Sequence, residues 1–336
     1  MGVIGQQGDS RAATPEELQQ YQAVSERLSQ VDPHSVFDAN DPHQRLMVIA
    51  FDGTSSDREK SNATHTNPDI LEQLVATSET VSSMYVHGVG TRSHTPIHSM
   101  VEMATGTGSK SRAEQAYREF VSEVRQWHQQ DPLSEPHLVT LGYSRGVGSQ
   151  RHFANLVEDL GVPNQACTGY LIEPGAVQQG LMLMYDGVVT GQERQLDLPI
   201  PSDLGIAIHL FAQEEDRMAF DLVSAIDPLR PEHPGRFEEP LLGFHSDVGG
   251  GDQYGGLSAH ALQLGIQALE RHGVPLESLP ALYDINEQRF DINEPNRLSP
   301  VNWALGPRDT DQFSDAAPGP RGDRDDSLNE GCSLSQ

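Results

Sequence analysis

The sequence predicts an α/β fold, a mostly parallel, doubly wound sheet with helices on both faces. Three observations carry this. Short apolar runs such as RLMVIAF (45–51), HLVTLGYS (137–144) and GIAIHLF (205–211) recur along the chain. They alternate with helical stretches of ten residues or more, the pattern of strands joined by crossover helices and covered on both sides. Several of the runs end in glycine or Asp-Gly, where a strand must turn sharply into the next element.

Taken in order, Thr14, Pro15 and Glu17 form a capping box with proline in the first turn, predicting a polar helix over 15–30. Its apolar positions are few, so a loosely attached N-terminal arm over residues 1–40 is expected. The strand 45–51 ends at Asp52, Gly53 and Thr54, and Asn67-Pro68 opens the next helix. A strand over 83–91 follows, then a helix over 112–130 capped by Ser111 and Glu114, the strand 137–144 and a helix over 146–160. Beyond these come GYLI, the strand 180–187, the strand 205–211 and a helical EEDRMAFDLVSA. EPLLGFHSDVGGG runs from a strand into a glycine loop, and Ser258 caps a last helix that ends at Gly273. The fold domain is expected over 41–306, with a polar, disordered acidic tail over 307–336.

Composition narrows the function. With 22 basic against 49 acidic residues the chain carries a net charge of −27, which disfavours phosphate backbones and anionic bilayers alike. Nucleic acid is therefore excluded as a partner, and any membrane contact is expected to be transient and apolar. Cys167 and Cys332 are too few for a disulfide framework or a cysteine zinc site. No apolar run of signal-peptide or membrane-span length is present, so synthesis as a soluble cytoplasmic protein is expected.

The chemistry concentrates at Gly142-Tyr143-Ser144-Arg145-Gly146, between a predicted strand and a predicted helix. A G-x-S-x-G sequence in that context is a nucleophile elbow: small flanking residues let strand and helix pass closely while the serine occupies an exposed, strained turn. The N–H of Arg145 then faces a developing oxyanion, and Gly53 or Thr54 is the expected source of a second donor. A serine hydroxyl needs a base, and the base an orienting acid. Of the downstream histidines, His245 alone follows an apolar strand and opens a glycine loop. His209 lies inside a strand and reads as core; His152, His260 and His272 lie on helices, and His233 in a proline-rich loop. For the acid, Asp186 at the end of LMLMY is preferred, with Asp216 and Asp247 as competitors.

The ordered motifs FDGT, TNPDILEQL, GVGT, GYSRG, GFHSDVGGG and LSAHALQLGIQAL resemble the DUF2235 family of α/β-hydrolases, which includes bacterial type VI lipase effectors. The resemblance covers roughly residues 45–273. It implies an α/β-hydrolase-like fold, Ser144 as nucleophile, His245 as base, Asp186 as acid, and hydrolysis of phospholipid esters without a cofactor or metal. Tyr143 stands where the family usually has Phe, and Tyr185-Asp186-Gly187-Val188 where it commonly has Phe-Asp-Thr-Val. A small-molecule esterase or acyltransferase on the same triad, or an inactive binding module, are the alternatives. Export by a contact-dependent secretion system into a target cell is expected, with a secretion-system component or an immunity protein as partner.

Weaker signals point elsewhere. Asp247, the glycines 249–251 and Asp252 fit no EF-hand spacing. Pro96 spoils His94 and His98 as a helical metal pair, and GTGSK (106–110) lacks the P-loop spacing. The segments 91–111 and 188–204 are candidate walls above Ser144, the second carrying Val188, Val189, Leu196, Leu198 and Ile200 as a mobile apolar lid.

Overall fold

A computed structural model describes residues 10–33, 35–54, 56, 58, 65–88, 108–189, 195–217, 220–226, 235–251, 255–285, 289–295 and 324–335. Six parallel strands build the central sheet: β2 (Gln44–Phe51), β3 (Val81–Val86), β4 (Glu135–Tyr143), β7 (Gln178–Tyr185), β8 (Ile206–Ala212) and β9 (Arg236–Leu241). Their order across the sheet is β3-β2-β4-β7-β8-β9. The chain leaves β2 toward β3 on one side, then crosses back to β4 on the other. The strand order thus reverses between β2 and β4, and a crevice opens at their carboxyl ends. Phe51 pairs with Gly142, so Asp52 and Gly53 emerge beside Tyr143 and Ser144.

Side-chain alternation along β2 divides the core. Leu46, Val48 and Ala50 pack with α1 (Pro15–Leu28), α2 (Asn67–Gln73) and α6 (Gly256–Arg271). Met47, Ile49 and Phe51 face α3 (Ser109–Gln130) and α4 (Gly146–Leu160) on the other side. Both faces are therefore covered, as the continuous apolar strands require. β5 (Val162–Pro163) and β6 (Tyr170–Ile172, the predicted GYLI) form a small antiparallel pair outside the main sheet. So do β1 (Ser10–Ala12) and β10 (Asp291–Asn293).

Several local expectations need correction. The Thr14–Glu17 capping box is present, but α1 is docked rather than loose. Tyr21, Val24 and Leu28 are buried, the Tyr21 hydroxyl donates to the Leu242 carbonyl at 2.9 Å, and Arg27 pairs with Glu239 at 2.6 Å. Three apolar residues on one stripe suffice to seat a helix that is otherwise polar. α3 starts at Ser109 with Gly108 (φ 107°) as its cap, and the Ser111 hydroxyl donates back to the Gly108 carbonyl instead of capping. α6 starts at Gly256, which makes Ser258 its third residue rather than its cap.

The expected helix EEDRMAFDLVSA does not form among its described residues. Glu215 Oε1 accepts from the Arg217 N–H at 3.0 Å, and Val223 N–H donates to Gly187. Side-chain-to-backbone and cross-loop bonds have displaced the helical ladder. Past residue 306, α7 (Arg324–Leu334) is an element where a disordered tail is expected. Cys332, buried on it, is disulfide-bonded to Cys167. Its polar composition hid both features, and no spacing rule links cysteines 165 residues apart. The two-cysteine argument against a framework holds, but a single bridge does form.

The candidate wall 188–204 is not a lid where it is described. Val189, Leu196 and Leu198 are packed in a core cluster with Val147, Met182 and Met184. Apolar residues without periodicity have been used for burial. Positions 91–107, His233 and Asp252 lie outside the described residues.

Candidate active site

The junction of β4 and α4 holds Ser144 at φ 55°, in the left-handed region that a non-glycine residue enters only when its surroundings hold it there. The two flanking glycines explain how. A Cβ on Gly142 would sit 2.1 Å from Gln150 Oε1, and one on Gly146 would sit 2.3 Å from the Phe51 carbonyl. No side chain fits where helix and strand pass this closely. The Ser144 N–H donates to the Tyr185 carbonyl at 3.1 Å, and the Ser144 carbonyl accepts from Val147 and Val188 N–H, both at 3.1 Å.

Next to this turn stands a second left-handed residue, Asp186 at φ 39°, at the end of β7. Its N–H donates to the Leu210 carbonyl at 2.8 Å, and its Oδ1 accepts from Ala212 N–H at 2.9 Å. The carboxylate is fully buried, and Oδ2 lies 2.5 Å from His245 Nδ1. His245 opens the short helix α5 (His245–Gly249), and its Nε2 lies 2.8 Å from Ser144 Oγ. Ser144, His245 and Asp186 thus form one hydrogen-bonded chain across three strand ends. The imidazole is packed by Tyr143, stacked at 4.7 Å, and by Phe220 in a T-shaped contact at 4.7 Å.

The backbone N–H of Arg145, the residue after Ser144, and that of Thr54 make no hydrogen bond among the described residues. Gly53 is different: its N–H is taken by Asp52 Oδ1 at 2.6 Å. The structure therefore leaves Arg145 and Thr54 as open donors and withdraws Gly53 from the expected set. The Arg145 guanidinium donates to the Thr54 hydroxyl at 3.0 Å, which ties the two donor loops together. Asp52 accepts further from Thr66 Oγ1 at 2.9 Å and Tyr85 Oη at 2.5 Å. Burial pushes its carboxyl up to about 6 against those three hydrogen bonds.

The competing acids fall elsewhere. Asp216 is exposed. Asp247 is buried, but its carboxylate accepts from Phe244 N–H, Asn293 N–H and Asn293 Nδ2 at 3.0, 3.0 and 2.7 Å, so it fastens the His245 loop to β10. Sequence reasoning passed over Glu215. Buried and paired with Arg217 at 2.6 Å, it accepts from the His245 N–H at 3.4 Å. Burial pushes its carboxyl up, but the Arg217 hydrogen bond and charge outweigh that and hold it below the usual range. Arg217 in turn lies over the Phe220 ring at 3.6 Å. The segment reads as a helix in sequence, and a helical reading gives Glu215 no role; its run of charges beside one aromatic was the only other signal. No cluster of metal-ligating side chains occurs among the described residues, and no helix there is long and apolar enough to cross a membrane.

A parallel sheet with a serine elbow at its switch point defines the class: an α/β-hydrolase-like fold. Within it, residues 45–173 match the family model described as "T6SS, Phospholipase effector Tle1-like, catalytic domain". This bears out the resemblance to type VI phospholipase effectors. The match takes in the elbow and the Asp52 loop, but stops before Asp186 and His245 and short of half the chain.

Among solved structures, the Tle1 effector bound to the VgrG spike of the type VI secretion system is 19% identical over 62% of this chain and 51% of its own, with a TM-score of 0.45. An uncharacterized protein from Pseudomonas aeruginosa is 18% identical over 94% of this chain and 55% of its own, with a TM-score of 0.48. An iodinated acetyl xylan esterase is 12% identical over 68% of this chain and 95% of its own, with a TM-score of 0.26. The chain spans about half the length of the first two. Among curated proteins there is no match.

Proposed function

We propose that the protein is a serine ester hydrolase acting on phospholipids. The observation that carries this reading is the Ser144–His245–Asp186 chain, with 2.8 and 2.5 Å links, beside two open backbone donors. The family match supports the lipid side of it. Ser144 Oγ attacks the acyl carbonyl and its proton passes to His245 Nε2, while Asp186 holds the imidazolium through Nδ1. The Arg145 and Thr54 N–H groups stabilise the oxyanion. On collapse the ester C–O bond breaks and His245 returns the proton to the departing lysolipid alkoxide. Water, deprotonated by His245, then frees the fatty acid from the acyl-serine. Delivery by a type VI secretion system, with a component of that system as partner, belongs to the same proposal and rests on the family match alone.

The test is fatty-acid release from phosphatidylcholine or phosphatidylethanolamine vesicles beside turnover of a soluble short-chain ester, for the wild type and Ser144→Ala. The net charge of −27 favours zwitterionic vesicles over strongly anionic ones. Release that vanishes in Ser144→Ala is expected. Brisk turnover of the short ester with no release from any vesicle would overturn the lipid assignment and leave a plain esterase.

A further inference from the structure

Behind Asp186 lies a second histidine that the relay does not use. His209, on β8, is fully buried, and its Nδ1 lies 2.7 Å from Glu238 Oε2 on β9. Its Nε2 accepts the Gly187 N–H at 3.0 Å. Since Nε2 accepts, the ring hydrogen sits on Nδ1 and is donated to Glu238. Glu238 is itself fixed by Ser224 Oγ at 2.7 Å and Ala225 N–H at 2.6 Å. Gly187 is thus held through both of its backbone polar groups, because its carbonyl accepts from Val223 N–H at 3.0 Å.

The residue before Gly187 is Asp186, at φ 39°. A non-glycine residue in that region is strained and stays there only where neighbouring bonds over-determine it. Three residues of β8 supply those bonds: Leu210 to the Asp186 N–H, Ala212 to its carboxylate, and His209 to the next N–H. His209 is the only side chain among the three. An apolar residue there would leave the Gly187 N–H buried without an acceptor, and the turn free to relax.

We infer that His209 is a positioning residue, whose ring, oriented by Glu238, holds the Gly187 N–H and so aims the Asp186 carboxylate at His245. This rests on the reading of Ser144, His245 and Asp186 as the reacting chain.

Two substitutions separate the two ring nitrogens. His209→Gln keeps an acceptor near the Nε2 position, whereas His209→Asn keeps a donor near Nδ1 but cannot reach Gly187. Each replaces the imidazole with the same amide. The expected result is that His209→Asn lowers kcat about 100-fold, and His209→Gln recovers most of it. In His209→Asn the acid limb of the kcat/KM pH profile also moves to lower pH, because a base that loses its carboxylate partner is protonated less readily. Equal kcat in the two variants, or an acid limb that stays in place in His209→Asn, would overturn the inference. If neither variant retains native circular dichroism, Glu238→Gln takes their place, with an expected tenfold fall in kcat and the same shift of the limb. Wild-type kcat and limb in that variant would count against it. Ser144→Ala, run alongside, separates the two levels. If it is as active as the wild type the underlying relay fails, whereas if it is inactive and the His209 or Glu238 variants behave as wild type, only the inference fails.

Discussion

Two buried histidine–carboxylate pairs stand at the same end of the sheet. His245 meets Asp186 at 2.5 Å and His209 meets Glu238 at 2.7 Å, each through Nδ1. They differ at Nε2. For His245 that nitrogen faces the Ser144 hydroxyl at 2.8 Å; for His209 it faces the Gly187 backbone N–H at 3.0 Å. A hydroxyl can yield its proton and take it back, whereas an amide N–H only donates. His245 retains 7% exposure and His209 none, so only the first pair sits where a substrate can reach it. The pair by itself does not define chemistry; its third partner and its access do.

The largest effect that tests this contrast is expected at His245. On the proposed reading, His245→Ala lowers kcat about 10⁴-fold or more with the fold retained, because among the described residues no other side chain is hydrogen-bonded to Ser144 Oγ to take its proton. Kinetics and thermal melts on the same preparation measure both quantities. A loss below tenfold in a folded variant would make the two pairs equivalent and both structural.

The next effect concerns the acid. Asp186→Asn is expected to cost roughly 10²- to 10⁴-fold in kcat, as loss of the orienting carboxylate does in serine relays. Asp216→Asn, an exposed position, should stay within about twofold. Were Asp216→Asn the more harmful of the two with the fold intact, the acid would be misassigned.

What the sequence revealed follows from where the physics is local. The elbow was legible because a glycine on each side of Ser144, an apolar strand before it and a helix after it all lie within one short stretch. Asp186 and His245 were legible for a related reason: each directly follows an apolar run, and strand ends carry the site in a parallel sheet. His209 was half legible. Its setting in IAIHLFA gives burial correctly, but nothing in that stretch announces Glu238 29 residues on or the Gly187 amide 22 residues back. Glu215 and the Cys167–Cys332 bridge are contacts of the same kind, made by tertiary folding between segments whose own patterns predict a helix or no structure. Gly53 shows the reverse limit: its loop was placed correctly, but only the fold shows that Asp52 has taken its N–H.

A third buried carboxylate sharpens the comparison with the smallest expected effect. Among the described residues Asp52 has no imidazole beside it; its partners are Gly53 N–H, Thr66 Oγ1 and Tyr85 Oη, and burial raises its carboxyl from 3.8 to about 6. Between those values the folded chain holds a proton that the unfolded chain has released. Its contribution to stability is therefore complete below about pH 4 and is lost as pH rises through about 6. Asp52→Asn, which cannot ionise, removes this slope, so the melting temperature of the wild type relative to the variant should fall between pH 4 and pH 7. A constant difference across that range would contradict the burial account. Because Asn keeps an acceptor for Gly53 N–H, kcat should fall less than tenfold.

The central claim is that Ser144 is a nucleophile activated by His245. Its most direct measurement is the rate and position of covalent labelling by a fluorophosphonate, read by intact mass and peptide mapping. The account predicts a single adduct on Ser144, none in Ser144→Ala, and labelling slowed at least 100-fold in folded His245→Ala. An unlabelled wild type at neutral pH, or an adduct on another residue that persists in Ser144→Ala, would contradict it.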